Sequence, residues 1–506
     1  MEEQAAEYRH INEELKRSAD QFGDKNYIVS LHQEKRLGFD QLEARSRKVA
    51  DFLQTKGLEK SDKVSLVAKN SIEAIIIFFG VLRYGAVINP INSDESQENI
   101  NKIIGRVKPK IVLHDSEIGL DAALSGRTVL SFSDHESSKD PDAPFFPLVN
   151  QCEPCFEHPL GDKQDVAEIL FTSGTTEEPK GVAISREALF YMGEEVVDKL
   201  SLGPDETLLE YRAYSWASTQ FLSIISTMKS GTTLLLAKKF SRSRFAQWLQ
   251  HYNVTISSGV PTVINMLINQ PIGITIRDVP ALKFITSSSA PLSVESHKKF
   301  ESIYGITINQ MAGMTEAGWM LGNPPEKRKP GSVGTPFKHK KIQVLNEFGK
   351  SCNVGEIGEI VVSGKSMGSG YINTNGGIDY FSAKGFYTGD LGYVDYEGYF
   401  YITGRRKDII IRGGVNISPK QISNKILEIP EVLDAVTIGF PDDIYGEELA
   451  SFVVLKQNHS TDEKHILNYC VQVLPEFKVP KVIKIIDKIP LNTRGKVNKK
   501  ALLSMI

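Results

Sequence analysis

Phe171-Thr172-Ser173-Gly174-Thr175-Thr176-Glu177-Glu178-Pro179-Lys180-Gly181-Val182 is the stretch from which the rest of this chain can be read. The apolar run Val166 to Phe171 precedes it and Val182-Ala183-Ile184 follows, so the segment joins two strand candidates. Hydroxyls of Thr172, Ser173, Thr175 and Thr176 flank Gly174, and Lys180 adds a positive charge. Side-chain donors and exposed backbone N–H groups in such a loop can wrap phosphate oxygens. Pro179 occupies the place of the second glycine of a Walker-type loop, and no helical pattern follows directly, which excludes that motif. Composition alone also fits an ordinary polar turn.

Outward from this loop, short β-rich runs alternate with helical patterns through the first four-fifths of the chain. Lys63 to Ala68, Pro109 to Leu113 and Gly231 to Leu236 read as strands, and Gln41 to Lys56 and Arg242 to Tyr252 read as helices. This alternation predicts an α/β fold with a large N-terminal body of mixed, largely parallel sheets. Ser133 to Asp162, rich in Pro, Asp and Ser, reads as a surface connection. After Gly404-Arg405-Arg406-Lys407-Asp408 about a hundred residues remain, enough for a small independent unit. Val432 to Phe440, Leu449 to Leu455 and Lys481 to Ile486 are its strand candidates. The expected division is a body of residues 1–404 and a small, mobile α+β lid of residues 405–506.

The bulk properties narrow the function classes. A net charge of −3, with 41% hydrophobic and 24% charged residues, marks neither a nucleic-acid nor a membrane partner. The start Met1-Glu2-Glu3-Gln4 lacks the plan of a secretory signal. The apolar run Ala74 to Leu82 is far short of the ~20 residues of a membrane span and predicts a buried helix. Cys152 and Cys155 form a CxxC with no second pair, so neither a zinc site nor a disulfide framework is expected. A cytoplasmic enzyme without a membrane anchor, monomeric or homodimeric, is the default.

The order TSGTT-x-x-PKG at Thr172 to Gly181 resembles the phosphate loop of the adenylate-forming superfamily, which comprises acyl-CoA synthetases, non-ribosomal adenylation domains and luciferases. Further segments resemble that family in the same order. Ser289-Ala290-Pro291-Leu292 stands where the family lays a segment against adenine. Gln310-Met311-Ala312-Gly313-Met314-Thr315-Glu316 resembles its QGYGMTE segment, Tyr387-Thr388-Gly389-Asp390 its TGD motif, and Gly404-Arg405-Arg406-Lys407-Asp408 its linker. Arg412-Gly413-Gly414-Val415-Asn416 follows, and Pro490-Leu491-Asn492-Thr493-Arg494-Gly495-Lys496 resembles the PxTxxGK signature.

The resemblance implies an ATP-dependent enzyme that forms an acyl-AMP from a carboxylic acid and passes the acyl group to coenzyme A. It implies phosphate contacts from Thr172, Ser173, Gly174, Thr175, Thr176, Lys180 and Thr315, with magnesium on Glu316, since a hard cation prefers carboxylate oxygen. Ser289, Ala290, Pro291 and the run Met311, Ala312, Gly313 and Met314 would bound the nucleotide, and Asp390 and Arg405 its ribose. Lys407 would be the hinge, Gly413 and Gly414 the passage for pantetheine, Lys496 the adenylation lysine, and Trp216, Met311 and Gly318 the acid pocket.

Four positions depart from the pattern: Glu177 replaces a common glycine, Met311 a small residue that often lines the acyl pocket, Ala312 the adenine-stacking tyrosine, and Ile411 a lysine of many aryl-CoA ligases. A stand-alone adenylation enzyme that loads a carrier protein is the alternative. A non-catalytic nucleotide-binding homologue and a luciferase-type oxidase stand further off. Tyr214-Ser215-Trp216-Ala217-Ser218 contains no aspartate to hold an α-ammonium, so an amino acid is not expected. Met311 beside Trp216 predicts a small to medium apolar or aromatic acid.

Overall fold

The computed structural model describes residues 7–120, 127–133, 144–154, 158, 160–172, 179–290, 292–456, 459–491 and 497–506. Two sheets with parallel centres form the body. The first runs Thr335–Pro336, Gly318–Gly322, Ile308–Met314, Phe284–Ser287, Ile256–Ser257, Thr207–Glu210, Thr233–Leu236, Asn26–Ser30 and Lys35–Gly38. Its pairings are parallel from Ile308–Met314 to Asn26–Ser30 and antiparallel at both edges. The second runs Ile378–Tyr380, Gly370–Ile372, Gly181–Ser185, Val166–Phe171, Val87–Asn92, Lys63–Ala68, Ile111–Asp115 and Thr128–Phe132. It is parallel from Val166–Phe171 onward and antiparallel before it.

The two sheets share one apolar core, and the helix Ile72–Tyr84 lies in it with every residue buried. Ser71 caps its start by accepting from the Ala74 N–H at 3.1 Å, and Gly85, in the left-handed region, ends it. A helix buried on every side has no solvent face to orient it, so packing around it sets its position. Gly80 permits the close contact with the helix Phe39–Thr55: a Cβ there would fall 2.5 Å from the Val49 side chain.

Two further sheets follow. Lys340–Leu345, Gly358–Gly364, Phe386–Val394 and Phe400–Arg405 form an antiparallel meander. Its turns explain why this part of the body departs from parallel pairing. The Asn346 and Asp395 side chains accept from the backbone two residues on, and Gly349 and Gly398 take positive φ, chemistry that reverses the chain locally. The last sheet comprises Val415–Ile417, Ile410–Arg412, Gly446–Leu455 and Val432–Asp442, with Val482–Ile485 parallel to Gly446–Leu455. The helices Pro419–Ile426 and Glu463–Val473 cover it around a core that includes Ile410, Ile422, Ile426, Leu449, Val453, Ile466 and Cys470. Strand Phe400–Arg405 therefore ends the meander, and strand Ile410–Arg412 opens the last sheet.

The stretch expected as a surface connection holds a short helix, Phe145–Asn150, that drops Phe145 and Val149 into the body core. Apolar spacing within a Pro- and Asp-rich stretch outweighed its composition. Cys152, Cys352 and Cys470 are free thiols, and Cys155 lies outside the described residues. No helix among the described residues is long and apolar enough to cross a membrane.

Candidate active site

The strands Val166–Phe171 and Gly181–Ser185 pair antiparallel with Phe171 opposite Gly181, and the Thr172 N–H donates to the Lys180 carbonyl at 2.9 Å. This bond closes the base of the loop. Ser173, Gly174, Thr175, Thr176 and the departing Glu177 lie outside the described residues. Lys180 places its ammonium 5.6 Å from the ring centre of Tyr371, a cation–π distance.

Tyr371 is a residue the sequence reading missed. Strand Gly370–Ile372 pairs with Gly181–Ser185, Tyr371 opposite Val182. Its hydroxyl donates to Glu316 Oε1 at 2.7 Å, and burial together with the Glu316 charge pushes the phenol well above the ordinary tyrosine value. Tyr371 thus stays a donor at any working pH. Glu316, buried, sits in the turn between strands Ile308–Met314 and Gly318–Gly322, where its carbonyl accepts from the Gly368 N–H at 2.8 Å. Thr315, beside it, is half-buried. The hairpin is tight: a Cβ on Gly313 would come within 2.5 Å of the Gly318 carbonyl oxygen. Lys180, Tyr371 and Glu316 therefore meet although nearly two hundred positions separate the outer two. A tyrosine after glycine in a short strand carries no sequence signal for such a contact.

The partners at the other end are local. Asp390 and Arg405 face each other across strands Phe386–Val394 and Phe400–Arg405, with Arg405 Nε 2.8 Å from Asp390 Oδ1. Thr388 accepts from the Asp390 N–H at 3.1 Å and donates to the Ile360 carbonyl at 2.7 Å, which fixes the bend. Burial pushes the Asp390 carboxyl above the ordinary aspartate range, and Arg405 opposes that shift. Lys420, also missed by the sequence reading, donates to the Ile402 carbonyl at 2.8 Å, and burial lowers its ammonium to about 8. Ser289 and Ala290 are exposed at the end of strand Phe284–Ser287, Ser289 with φ of 72°, and Pro291 lies outside the described residues.

Lys407 is exposed in a single 3₁₀ turn, Arg406–Asp408. Its neighbours make surface ion pairs, Arg406 with Glu359 at 3.0 Å and Asp408 with Lys499 at 2.6 Å. Gly413 and Gly414 are the two central residues of the hairpin joining Ile410–Arg412 to Val415–Ile417. Both have positive φ, 57° and 83°, as a two-residue turn of this kind requires. Lys496 lies outside the described residues, and an isolated bridge between Leu491 and Val497 brackets its segment.

On the acid side, Trp216 is half-buried and precedes the helical turn Ala217–Thr219, which continues as a π-helical turn, Gln220–Ile225. That helix packs against both strands of the hairpin carrying Met311, which is buried, Ala312, which is half-buried, and Gly318, where the return strand starts. No group of three or more His, Cys, Asp or Glu suited to a metal occurs among the described residues. A single carboxylate such as Glu316, completed by phosphate oxygens and water, is a fitting donor set for magnesium, which rarely takes an all-protein cage.

The comparisons with known proteins cover almost the whole chain. The family described as AMP-binding enzyme matches residues 15–372, and the AMP-binding enzyme C-terminal domain matches residues 421–496. A sulfoacetate–CoA ligase of Cupriavidus necator is 31% identical over 499 residues, 96% of either chain. A crotonobetaine/carnitine–CoA ligase of Escherichia fergusonii is 29% identical over 98% of this chain and 99% of its own. Among solved structures, ATP-bound MatB from Rhodopseudomonas palustris superposes with a TM-score of 0.89 at 29% identity, over 98% of this chain and 99% of that one.

Proposed function

This chain belongs to the AMP-binding enzymes, and from that premise we propose that it is an AMP-forming carboxylic acid–CoA ligase. It converts an acid and ATP into an acyl-AMP with release of pyrophosphate, then transfers the acyl group to the thiol of coenzyme A. The observation that carries this reading is the convergence of Lys180, Tyr371 and Glu316 at the mouth of the Thr172–Lys180 loop.

Both reactants of the first step are anions, so the protein's task is to neutralise and align them. Lys180, Thr172 and the loop residues up to Thr176 donate to phosphate oxygens, as does Thr315. Glu316 would hold magnesium, which when bound would screen the charge of the triphosphate, and Tyr371 fixes that carboxylate. Asp390 accepts from the ribose hydroxyls, with Arg405 oriented beside it. Lys496 approaches the reacting phosphate from the lid. The acid carboxylate then attacks the α-phosphorus, the bond to the pyrophosphate oxygen breaks, and pyrophosphate departs with the electron pair.

The joint follows strand Phe400–Arg405, with Lys407 as hinge. Rotation there withdraws Lys496 and brings the Gly413–Gly414 turn, whose bare backbone admits a pantetheine arm, towards the acyl-AMP. The thiol attacks the acyl carbonyl and AMP leaves. A cytoplasmic setting fits the free thiols of Cys152, Cys352 and Cys470.

The reading is tested by following pyrophosphate release across a panel of acids, with and without coenzyme A, alongside Lys496→Ala. The parent enzyme is expected to need coenzyme A for turnover. The variant should lose at least ~100-fold in adenylation while still making thioester from supplied acyl-AMP. Equal loss in both steps refutes the assignment of Lys496 to adenylation.

A further inference from the structure

One face of the helix that follows Trp216 holds polar atoms that the folded chain leaves without partners. Trp216, Thr219 and Gln220 stand at i, i+3 and i+4, positions that share a helix face. Trp216 Nε1 and Thr219 Oγ1 are buried and find no hydrogen-bond partner among the described residues; Ser215 Oγ, just before them, is in the same condition, while Gln220 faces the buried Glu168 carboxyl. Thr219 and Gln220 are fully buried.

Beneath this segment lies Arg212, whose Nη2 reaches the Ser218 carbonyl at 3.5 Å. Its Nε and Nη2 are bound to Glu210, which also accepts from Ser223 at 2.5 Å and Ser258 at 2.8 Å, while Nη1 is buried and unpartnered. A buried donor or acceptor without a partner is costly, and folded proteins satisfy nearly all of them. So many on one helix face, where that helix packs on the hairpin of Met311 and Gly318, mark a place that a polar ligand completes.

The balance of these atoms specifies the ligand's chemistry. Trp216 Nε1 and Arg212 Nη1 can only donate, and the hydroxyls of Ser215 and Thr219 can donate or accept. Glu168, fully buried, is the partner of Gln220, and the two side chains answer each other's hydrogen-bonding groups. Donors are in surplus. On the acid–CoA ligase reading, we infer that the substrate bears, beside the carboxylate that is activated, a second acceptor-rich group. That group, a sulfonate, a second carboxylate or a carbonyl, takes the hydrogen bonds of Arg212, Trp216 and Thr219. This replaces the apolar or aromatic acid that Met311 and Trp216 suggested by their side-chain character alone.

The experiment measures kcat/KM for acyl-CoA formation by the full-length enzyme with matched pairs of acids. Sulfoacetate and malonate represent an anionic second group, acetoacetate a neutral one, and butyrate, valerate and benzoate carry none. At least one acceptor-bearing acid should exceed every apolar acid by ~10-fold or more, because a site built to hydrogen-bond a substrate rejects the analogue that lacks the group. Thr219→Val should bring the two classes closer together, and Thr219→Ser, which keeps the hydroxyl, should hold them apart. An apolar acid converted best to its CoA thioester overturns the inference and leaves the ligase reading standing. Absence of acid-dependent pyrophosphate release across the panel sinks the ligase reading, and the inference with it.

Discussion

Charged side chains are held in opposite ways by the body of this molecule and by the proposed joint at residues 406–408. In the body, Lys340 and Glu195 pair at 3.0 Å with side chains wholly excluded from water, and Ser366 donates to the same carboxylate at 2.7 Å. Glu316 is buried and tied to Tyr371. At the joint, Arg406 is 73% exposed beside Glu359, and Lys499 is 47% exposed against Asp408. A buried pair has no water to replace a lost partner, so it locks one geometry; an exposed pair exchanges its partner for solvent at little cost. The body is thereby suited to hold a nucleotide in place, and the joint to be rearranged.

The widest separation between the two regions should appear when a buried pair is broken. Lys340→Ala leaves Glu195 and Ser366 facing apolar surroundings, and a loss of ~3–5 kcal/mol in unfolding free energy is expected. Denaturation in urea measures it, and a loss below ~1 kcal/mol would show that the pair does not lock the body as argued. A smaller effect, on function rather than stability, is expected at the joint. Lys407→Pro fixes φ near about −65° and restricts Arg406 before it. Acid-dependent pyrophosphate exchange should largely persist while acyl transfer to coenzyme A falls by at least ~30-fold, or ~2 kcal/mol in the barrier. Lys407→Ala should keep both steps. Transfer by the proline variant at the parental rate would mean that no rotation occurs there.

Tyr371→Phe sharpens the contrast from the body's side. The ring and its contacts with Lys180 and Phe381 remain, whereas the hydrogen bond to Glu316 is lost. Adenylation should slow ~10-fold, in keeping with a hydrogen bond to a charged group. Thioester formation from supplied acyl-AMP should stay at the parental rate, and a higher magnesium concentration should be needed for half-maximal adenylation. An unchanged magnesium dependence would leave Tyr371 with a packing role only. Smallest of all, Arg406→Ala removes an exposed pair and should shift unfolding by less than ~1 kcal/mol, as thermal melts would register.

Much of the fold was legible because periodicity and turn chemistry are local. Val166–Phe171, Lys63–Ala68 and the buried helix around Ala74 to Leu82 stand where their apolar patterns place them. The Gly413–Gly414 turn is likewise written in two adjacent glycines. The helix Phe145–Asn150 was not legible, since two phenylalanines within a loop-like composition reveal their burial only against the completed core. The antiparallel meander of residues 340–405 was hidden among parallel neighbours, because strand direction depends on which strands meet.

Residue type and order therefore determined by themselves the layered α/β class, the motif series from Thr172 to Lys496 and the reaction it implies. Tertiary structure alone decided which distant groups meet. Tyr371 was placed between Lys180 and Glu316, Lys420 near Asp390, and Arg212 under the face of Trp216, Thr219 and Gln220. The physical reason is range. Backbone propensities and turn hydrogen bonds act over a few residues and leave their mark in sequence, whereas the partner of a buried polar atom is chosen by packing between segments that chain order does not bring together.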